Sequence, residues 1–430
     1  MTESELERQS NSKKGADKKE TEAGRVLDST YFRRRWVAVS ALGVSLFLSA
    51  LDATIVALAV PQIASSLRLS DSLASVIFLS YAIPLTLLVL PSGALLNRLP
   101  VLPTFLVSVL GFGLGSLICG LSSSNFVLLL SGRIVQGGFA ALISTQGFAV
   151  AGAVVSPKER GRAMGIVGTI APLGGVAGPG IGGLLLANFG WQSIFFVNLP
   201  ICLLAAALGA FSLKGVHIQD RGTTGGSETF RQMVGLLRHR AFLAGLVAFL
   251  LSVTTSVALY FLLPFDLGSI QDMGPSLAGV ILLLVPLGMT VTGMVGGYLT
   301  DKYRPRPLII AGTGLMVLGA VSLSLVVSSR TSEFDLAWRL LMLGGGIGLF
   351  SSSNSTVLIG FGGRESMATA SALLNLGARL GTVIGPLVMG LTWASVAGLP
   401  AQIAFGMLIV DVFAVMTLLS AALSVKPQKP

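Results

Sequence analysis

The chain alternates between apolar runs of about twenty residues or more and short polar breaks, the pattern of helices that cross a bilayer again and again. Runs of that length begin near Trp36, Leu73, Val101, Asn125, Ala163, Trp191, Ala241, Ser276, Pro307, Leu336, Ser366 and Leu399. They predict an all-α membrane protein with twelve spans, numbered 1 to 12 along the chain. The one long internal polar break, residues 214–240, contains Gly222, Thr223, Thr224, Gly225, Gly226 and Ser227 and reads as a linker between two six-span halves. The expected organisation is a disordered tail at 1–35, an N-terminal half at 36–213, the linker at 214–240, a C-terminal half at 241–425 and a short tail at 426–430. No cleavable signal is expected, because Arg33, Arg34 and Arg35 lead into an apolar run far longer than a signal core of roughly 7–15 residues.

Composition narrows the class. With 53% apolar and 11% charged residues the chain has too little polar surface for a soluble domain, in which about a quarter of residues are charged. The net charge of +10 is a feature of topology and not a nucleic-acid footprint, since basic residues fall in the breaks between spans. With the N-terminus inside, 24 of the 29 Lys and Arg are cytoplasmic and only Arg68 and Arg330 are external, which predicts that both termini are cytoplasmic. Cys119 and Cys202 lie inside apolar runs and offer neither a disulfide framework nor a metal site. His217 and His239 both fall in the linker, where a solvated surface is expected.

Enzyme chemistry finds no support. No P-loop and no H-E-x-x-H are present, no nucleophile and base are paired at membrane depth, and no cofactor or metal is expected. A literal G-x-G-x-x-G at Gly178, Gly180 and Gly183 follows no strand, so it is not a dinucleotide site.

The halves repeat in register. Gly93-x-Leu95-x-Asn97-Arg98 matches Gly297-x-Leu299-x-Asp301-Lys302, Arg133 matches Arg339, and Gly178-Pro179 matches Gly385-Pro386. Parallel repeats of this kind belong to secondary transporters whose substrate site lies near the midplane between the halves.

Ionisable groups within spans are the candidate functional residues, because an acid near a helix centre costs roughly 2.5–3.5 kcal/mol to insert. At about 1.5 Å per residue, Asp52 lies roughly 24 Å along span 1 from its inner end, and Arg133 about 12 Å below the outer end of span 4. The two sit at similar heights and meet if spans 1 and 4 line one cavity. Arg133 has a second reading, as a clamp on carbonyls of neighbouring helices. Gln136, Gln146 and Asn354 complete the expected proton-coupling and cavity set, and Asp411 on span 12 is expected to pair with Arg379 on span 11.

Four segments resemble the major facilitator superfamily, and within it the drug:proton antiporters, over about residues 36–425. Leu51 to Pro61 is similar to the first-helix signature in which the acid, here Asp52, handles protons. Arg133-x-x-Gln136-Gly137 resembles the family's R-x-x-Q-G motif, with Phe139 where a glycine is usual. Gly165, Gly174, Gly178, Pro179, Gly182 and Gly183 match the helix 5 antiporter motif at every fixed position. Such small residues let helices approach closely, and they point to a hinge between halves with Gly178 and Gly182 at a close contact. The loops after spans 2 and 8 resemble the G-x-L-x-D-R/K gate, with Gly93, Asn97 and Arg98 in the first copy and Gly297, Asp301 and Lys302 in the second. Asn97 replaces the expected acid, which leaves Asp301 as the principal gate carboxylate. The run Gly190 to Pro200 resembles W-x-x-I-F-x-I-N-x-P, for which interfacial anchoring by Trp191 and packing are expected.

The resemblance implies a multi-pass cell-membrane transporter, working as a monomer among membrane lipids and exchanging protons for lipophilic, often cationic compounds. A carrier of one endogenous metabolite or lipid-like molecule is the alternative. The chain departs from the 14-helix antiporters in lacking an extra helix pair.

Overall fold

A computed structural model describes residues 29–96, 99–156, 159–216, 226–327, 329–361 and 363–424. The helices are α1 (Ser29–Ser66), α2 (Asp71–Leu96), α3 (Val101–Gly120), α4 (Phe126–Ala153), α5 (Arg160–Phe189), α6 (Asn198–Ser212), α7 (Arg240–Phe265), α8 (Pro275–Lys302), α9 (Pro305–Ser324), α10 (Glu333–Gly360), α11 (Gly363–Ser395) and α12 (Leu399–Ser424). A single turn, Ser193–Phe196, precedes α6, a π-helical stretch, Asp266–Ile270, follows α7, and a connecting helix, Gly226–Arg238, precedes α7.

Each expected span thus forms a helix. Eleven of them are long and apolar enough to cross a membrane among the described residues. The exception is α10, which has the length at 28 residues but carries Glu333, Asp335 and Arg339 in its first turns and the polar run Ser351 to Ser353 further on. Two sequence boundaries move. The first helix begins at Ser29, upstream of the expected tail boundary at 35, and residues 226–238 of the linker form a helix. The rest of the expected N-terminal tail, the linker stretch that contains His217, and the C-terminal tail from 425 lie outside the described residues. His239 is exposed as expected and packs edge-on against Phe361 at 5.5 Å.

Local chemistry explains the helix ends. Asn125 caps α4 by accepting a hydrogen bond from the Leu128 N–H at 3.0 Å, and Ser332 caps α10 by accepting from Asp335 at 3.2 Å. Gly190, with φ 76°, ends α5 in a conformation that a side chain disfavours and turns the chain toward α6. Prolines inside α2, α5, α7, α8 and α11 each remove a backbone donor and permit a bend.

Helices α1 to α6 pack mainly on one another, as do α7 to α12, and the two groups meet chiefly through α5 against α8 and α2 against α11. The groups share one apolar core only at one end, where Ile77 and Phe78 join Phe261, Leu282 and Trp393. Phe78 meets Phe261 edge-on with ring centroids 5.7 Å apart, and Phe261 lies 5.0 Å from Trp393. At the other end the apolar clusters are separate, one within α1 to α6 and two smaller ones beyond residue 230. The bundle is therefore sealed at the end of the shared core, and a cavity runs between the groups toward the other.

Candidate functional site

Asp52 and Arg133 are brought together at the heart of the N-terminal group. Arg133 Nη1 donates to Asp52 Oδ2 at 2.7 Å, and neither side chain is exposed. Two amides donate to the other carboxylate oxygen, Gln136 Nε2 at 3.1 Å and Asn198 Nδ2 at 2.8 Å. The Ser116 hydroxyl accepts from both amides, at 2.7 and 3.2 Å, and so ties α4 and α6 to α3. Each carboxylate oxygen therefore faces a donor, the environment that a buried negative charge needs.

The guanidinium is held on several sides. Besides Asp52 it donates to Gln136 Oε1 at 2.9 Å and to the Ile77 carbonyl at 3.5 Å, and it lies 4.4 Å from the centroid of the Tyr81 ring. The ion-pair and carbonyl-clamp readings of Arg133 thus coexist. Gly137 makes this possible, because a Cβ there would run into the backbone of Tyr81. Phe139 is accommodated by Gly111 on α3, where an added Cβ would come within 2.5 Å of the ring. A large residue on one helix is matched by none on the next.

The cavity holds about 950 Å³, the upper end of ordinary ligand pockets. Its walls are mostly apolar, with Leu46, Phe78, Phe148 and Met289 prominent. Polar groups are few: Ser49, Tyr81, Arg133, Tyr260, Asn375 and Arg379 are the largest or best placed. Arg133 is part of this wall, whereas Asp52 lies behind it, fully buried and out of the lining. Among the described residues, no Asp or Glu lines the cavity.

Several expectations are corrected. Gln146 is not a cavity residue; it is buried and donates to Ser108 on α3 at 3.1 Å. Asn354 is likewise a helix tie, donating to the Gly245 carbonyl of α7 at 3.1 Å. Asp411 does not pair with Arg379; its Oδ1 has no hydrogen-bond partner, and its neighbour is Ser324 of α9. Arg339 does not repeat the burial of Arg133: it stands at nearly the same distance from its helix start, but it binds Asp335 one turn back and the Ser322 carbonyl of α9. Trp191 is buried against Phe195 and is not an interfacial anchor.

The helix 5 motif divides its labour. Gly174, Gly178 and Gly182 face α1: a Cβ on Gly178 would sit 3.0 Å from Thr54 Cβ, and one on Gly182 would sit 2.8 Å from Ile55 Cγ1. The close contact expected of Gly178 and Gly182 is present, and it lies within one half. The contact between halves belongs to Gly183, whose Cβ would meet the Pro275 carbonyl at 2.6 Å, and to its partner Gly279 on α8, which abuts Pro179. Gly165 has open space around it and takes no part in close packing. Gly385 presses on Thr254 and Ala258 of α7 as Gly178 does on α1, so the repeat extends to packing.

Of the gate residues, Gly93 lines the cavity and Gly297 lies against Ser352 of α10. Lys302 is exposed, with its ammonium 5.9 Å from the Tyr303 ring. Asn97, Arg98 and the side chain of Asp301 lie outside the described residues.

Asn198, Ser116, Tyr81 and Arg379 are site residues that sequence reasoning left out of its set. Asn198 carried a signal, as the Asn of the W-x-x-I-F-x-I-N-x-P run.

Residues 42–386 match the model of the Major Facilitator Superfamily. Among characterised relatives, the Riboflavin transporter RibZ of Clostridioides difficile is 26% identical over 403 residues, covering 81% of this chain and 87% of that protein. The Tetracenomycin C resistance and export protein of Streptomyces glaucescens is 26% identical across 85% of this chain and 77% of its own. Multidrug resistance protein Stp of Mycobacterium tuberculosis is 26% identical across 83% and 76% respectively. A bacterial homologue of the human lysosomal transporter Spinster, solved inward-facing, superposes with a TM-score of 0.75 at 19% identity over 91% of this chain and 96% of that one.

Proposed function

Since the chain belongs to the major facilitator superfamily, we propose that it is a proton-coupled exporter of lipophilic compounds, working by alternating access with Asp52 as the proton-carrying carboxylate. It is a transporter and not an enzyme, a multi-pass protein of the cell membrane. The observation that carries the finer reading is the buried Asp52–Arg133 pair, with its arginine in the cavity wall and its carboxylate one layer behind.

The pair supplies a coupling device from its own geometry. As long as Arg133 holds Asp52, the carboxylate is satisfied as an anion and closed off from the cavity. A proton on Asp52 cancels the attraction and frees Arg133, which already reaches the cavity, to turn toward a bound compound. Substrate arriving beside Arg133 and Tyr81 competes with the ion pair in the same way. The proton and the substrate therefore act on one guanidinium, and no direct contact between substrate and Asp52 is needed. Asp52 itself is shielded from the cavity in this conformation.

Alternating access rests on the two main contacts between halves, α5 with α8 and α2 with α11. Small residues at Gly183 and Gly279 let these helices slide while remaining in contact. Export as the direction draws on the named roles of the Stp and tetracenomycin C relatives. A carrier of one metabolite is the second reading, favoured by the riboflavin transporter relative.

The test is accumulation in proteoliposomes under an imposed pH gradient, across fluorescent lipophilic compounds of either charge and riboflavin. Wild-type protein is expected to drive several lipophilic compounds uphill, and Asp52→Asn to carry them only downhill. Uphill transport by Asp52→Asn at the parent rate would eliminate the coupling role, and uphill transport of riboflavin alone would favour the single-metabolite carrier.

A further inference from the structure

Among the described residues, the cavity wall contains two guanidiniums and no carboxylate. Arg133 is neutralised from behind by Asp52 at 2.7 Å. Arg379, on the α11 wall opposite, has no carboxylate at ion-pair distance among the described residues. The other ionisable groups of the lining, Tyr81 and Tyr260, bring no negative charge to balance it at neutral pH. Asp411, the acid once expected to balance it, faces Ser324 instead. A guanidinium cannot shed its proton in a protein, so among the described residues the cavity carries one uncompensated positive charge in a mostly apolar chamber.

Such a charge is expensive at membrane depth unless a partner arrives, and its partner is by default the substrate. Arg379 is half-buried, planar and set in the lining with Asn375 one turn away, so a bidentate acceptor is the group it suits. The remaining walls, with Leu46, Phe78, Phe148 and Met289, suit an aromatic or aliphatic body. A cation entering the same chamber meets no acid among the described lining residues.

We propose that the compounds this transporter carries are lipophilic anions, aromatic carboxylates or sulfonates, whose acid group pairs with Arg379 while the ring system fills the apolar chamber. This rests on the cavity being the transport site and replaces the expectation of cationic substrates.

Fluorescein and rhodamine 123 share a xanthene skeleton and differ in charge, and both are measured by equilibrium dialysis against the purified full-length protein in neutral lipid nanodiscs. Wild-type protein is expected to bind fluorescein at least about tenfold more tightly than rhodamine 123. Arg379→Gln is expected to weaken fluorescein binding about tenfold, equivalent to about 1.4 kcal/mol, with rhodamine 123 unweakened, and Arg379→Lys to retain most of the preference. Equal or better binding of rhodamine 123 by wild-type protein overturns the proposal, as does the absence of saturable fluorescein binding. An undiminished anion preference in folded Arg379→Gln overturns it too. The wild-type comparison needs no variant, so a misfolded Arg379→Gln leaves the test intact. Asp52→Asn separates the two readings: its failure to lose uphill transport would remove the coupling role, whereas the dye preference of wild-type protein decides the anion site by itself.

Discussion

Asn198 is the residue whose role depends most on its partners. It donates to Asp52 and to Ser116, and with Gln136 it fills the side of the carboxylate that Arg133 leaves open. Truncating one donor to a buried charge costs about 1–3 kcal/mol. Asn198→Ala is therefore expected to lower thermal stability by that order and to slow transport while proton coupling persists, as checked by melting in detergent and by pH-driven uptake. Arg133→Ala is a harsher change, since it strands the carboxylate in a buried site at about 3–5 kcal/mol. Expression of that variant is expected to recover when Asp52→Asn is added, because the double change removes the stranded charge. A double variant no better expressed than Arg133→Ala would show that the arginine matters for more than the pair.

Helix α5 shows how one glycine-rich stretch serves two neighbours. The glycines at 174, 178 and 182 lie one turn apart and face α1, while Gly183, one residue on, faces α8. Gly178→Ala is expected to depress folded yield sharply, because its Cβ has Thr54 and the Ile55 backbone in its way. Gly165→Ala, with open space around it, is expected to fold normally and to gain up to about 1 kcal/mol in helix propensity. Size-exclusion profiles of the two variants compare them directly, and equal behaviour would mean that the motif's glycines are not packing residues. Gly183→Ala belongs to neither class, since it strains the seam between halves without touching either core.

The bundle is sealed at one end by a core that runs through both halves and open between separate cores at the other. The charge distribution along the chain predicts that the open end faces the cytoplasm. Single cysteines introduced by Ser10→Cys, Gly225→Cys and Gln428→Cys are expected to resist a membrane-impermeant maleimide in intact cells and to react after permeabilisation. Cys119 and Cys202 are buried and give little background. Labelling of any of the three from outside would reverse the assigned topology.

Helix number, fold class and the repeat between halves were readable from residues alone, because a bilayer demands length and apolarity that leave an unmistakable one-dimensional trace. So was the matching depth of Asp52 and Arg133, since depth along a helix follows from residue count, whereas the packing of α1 beside α4 is what brings them together. Which way a polar side chain faces does not follow from depth. Gln146 and Asn354 look like cavity residues in the sequence and are helix ties in the fold, while Arg379 looks like half of a buried pair and stands in the cavity wall. Rotation of a helix about its axis is set by the packing of its small residues against neighbours, and a shift of one position, from Gly182 to Gly183, exchanges a contact within a half for one between halves. In a chain that is apolar on every face, only tertiary packing chooses which polar groups meet each other and which are left for the substrate.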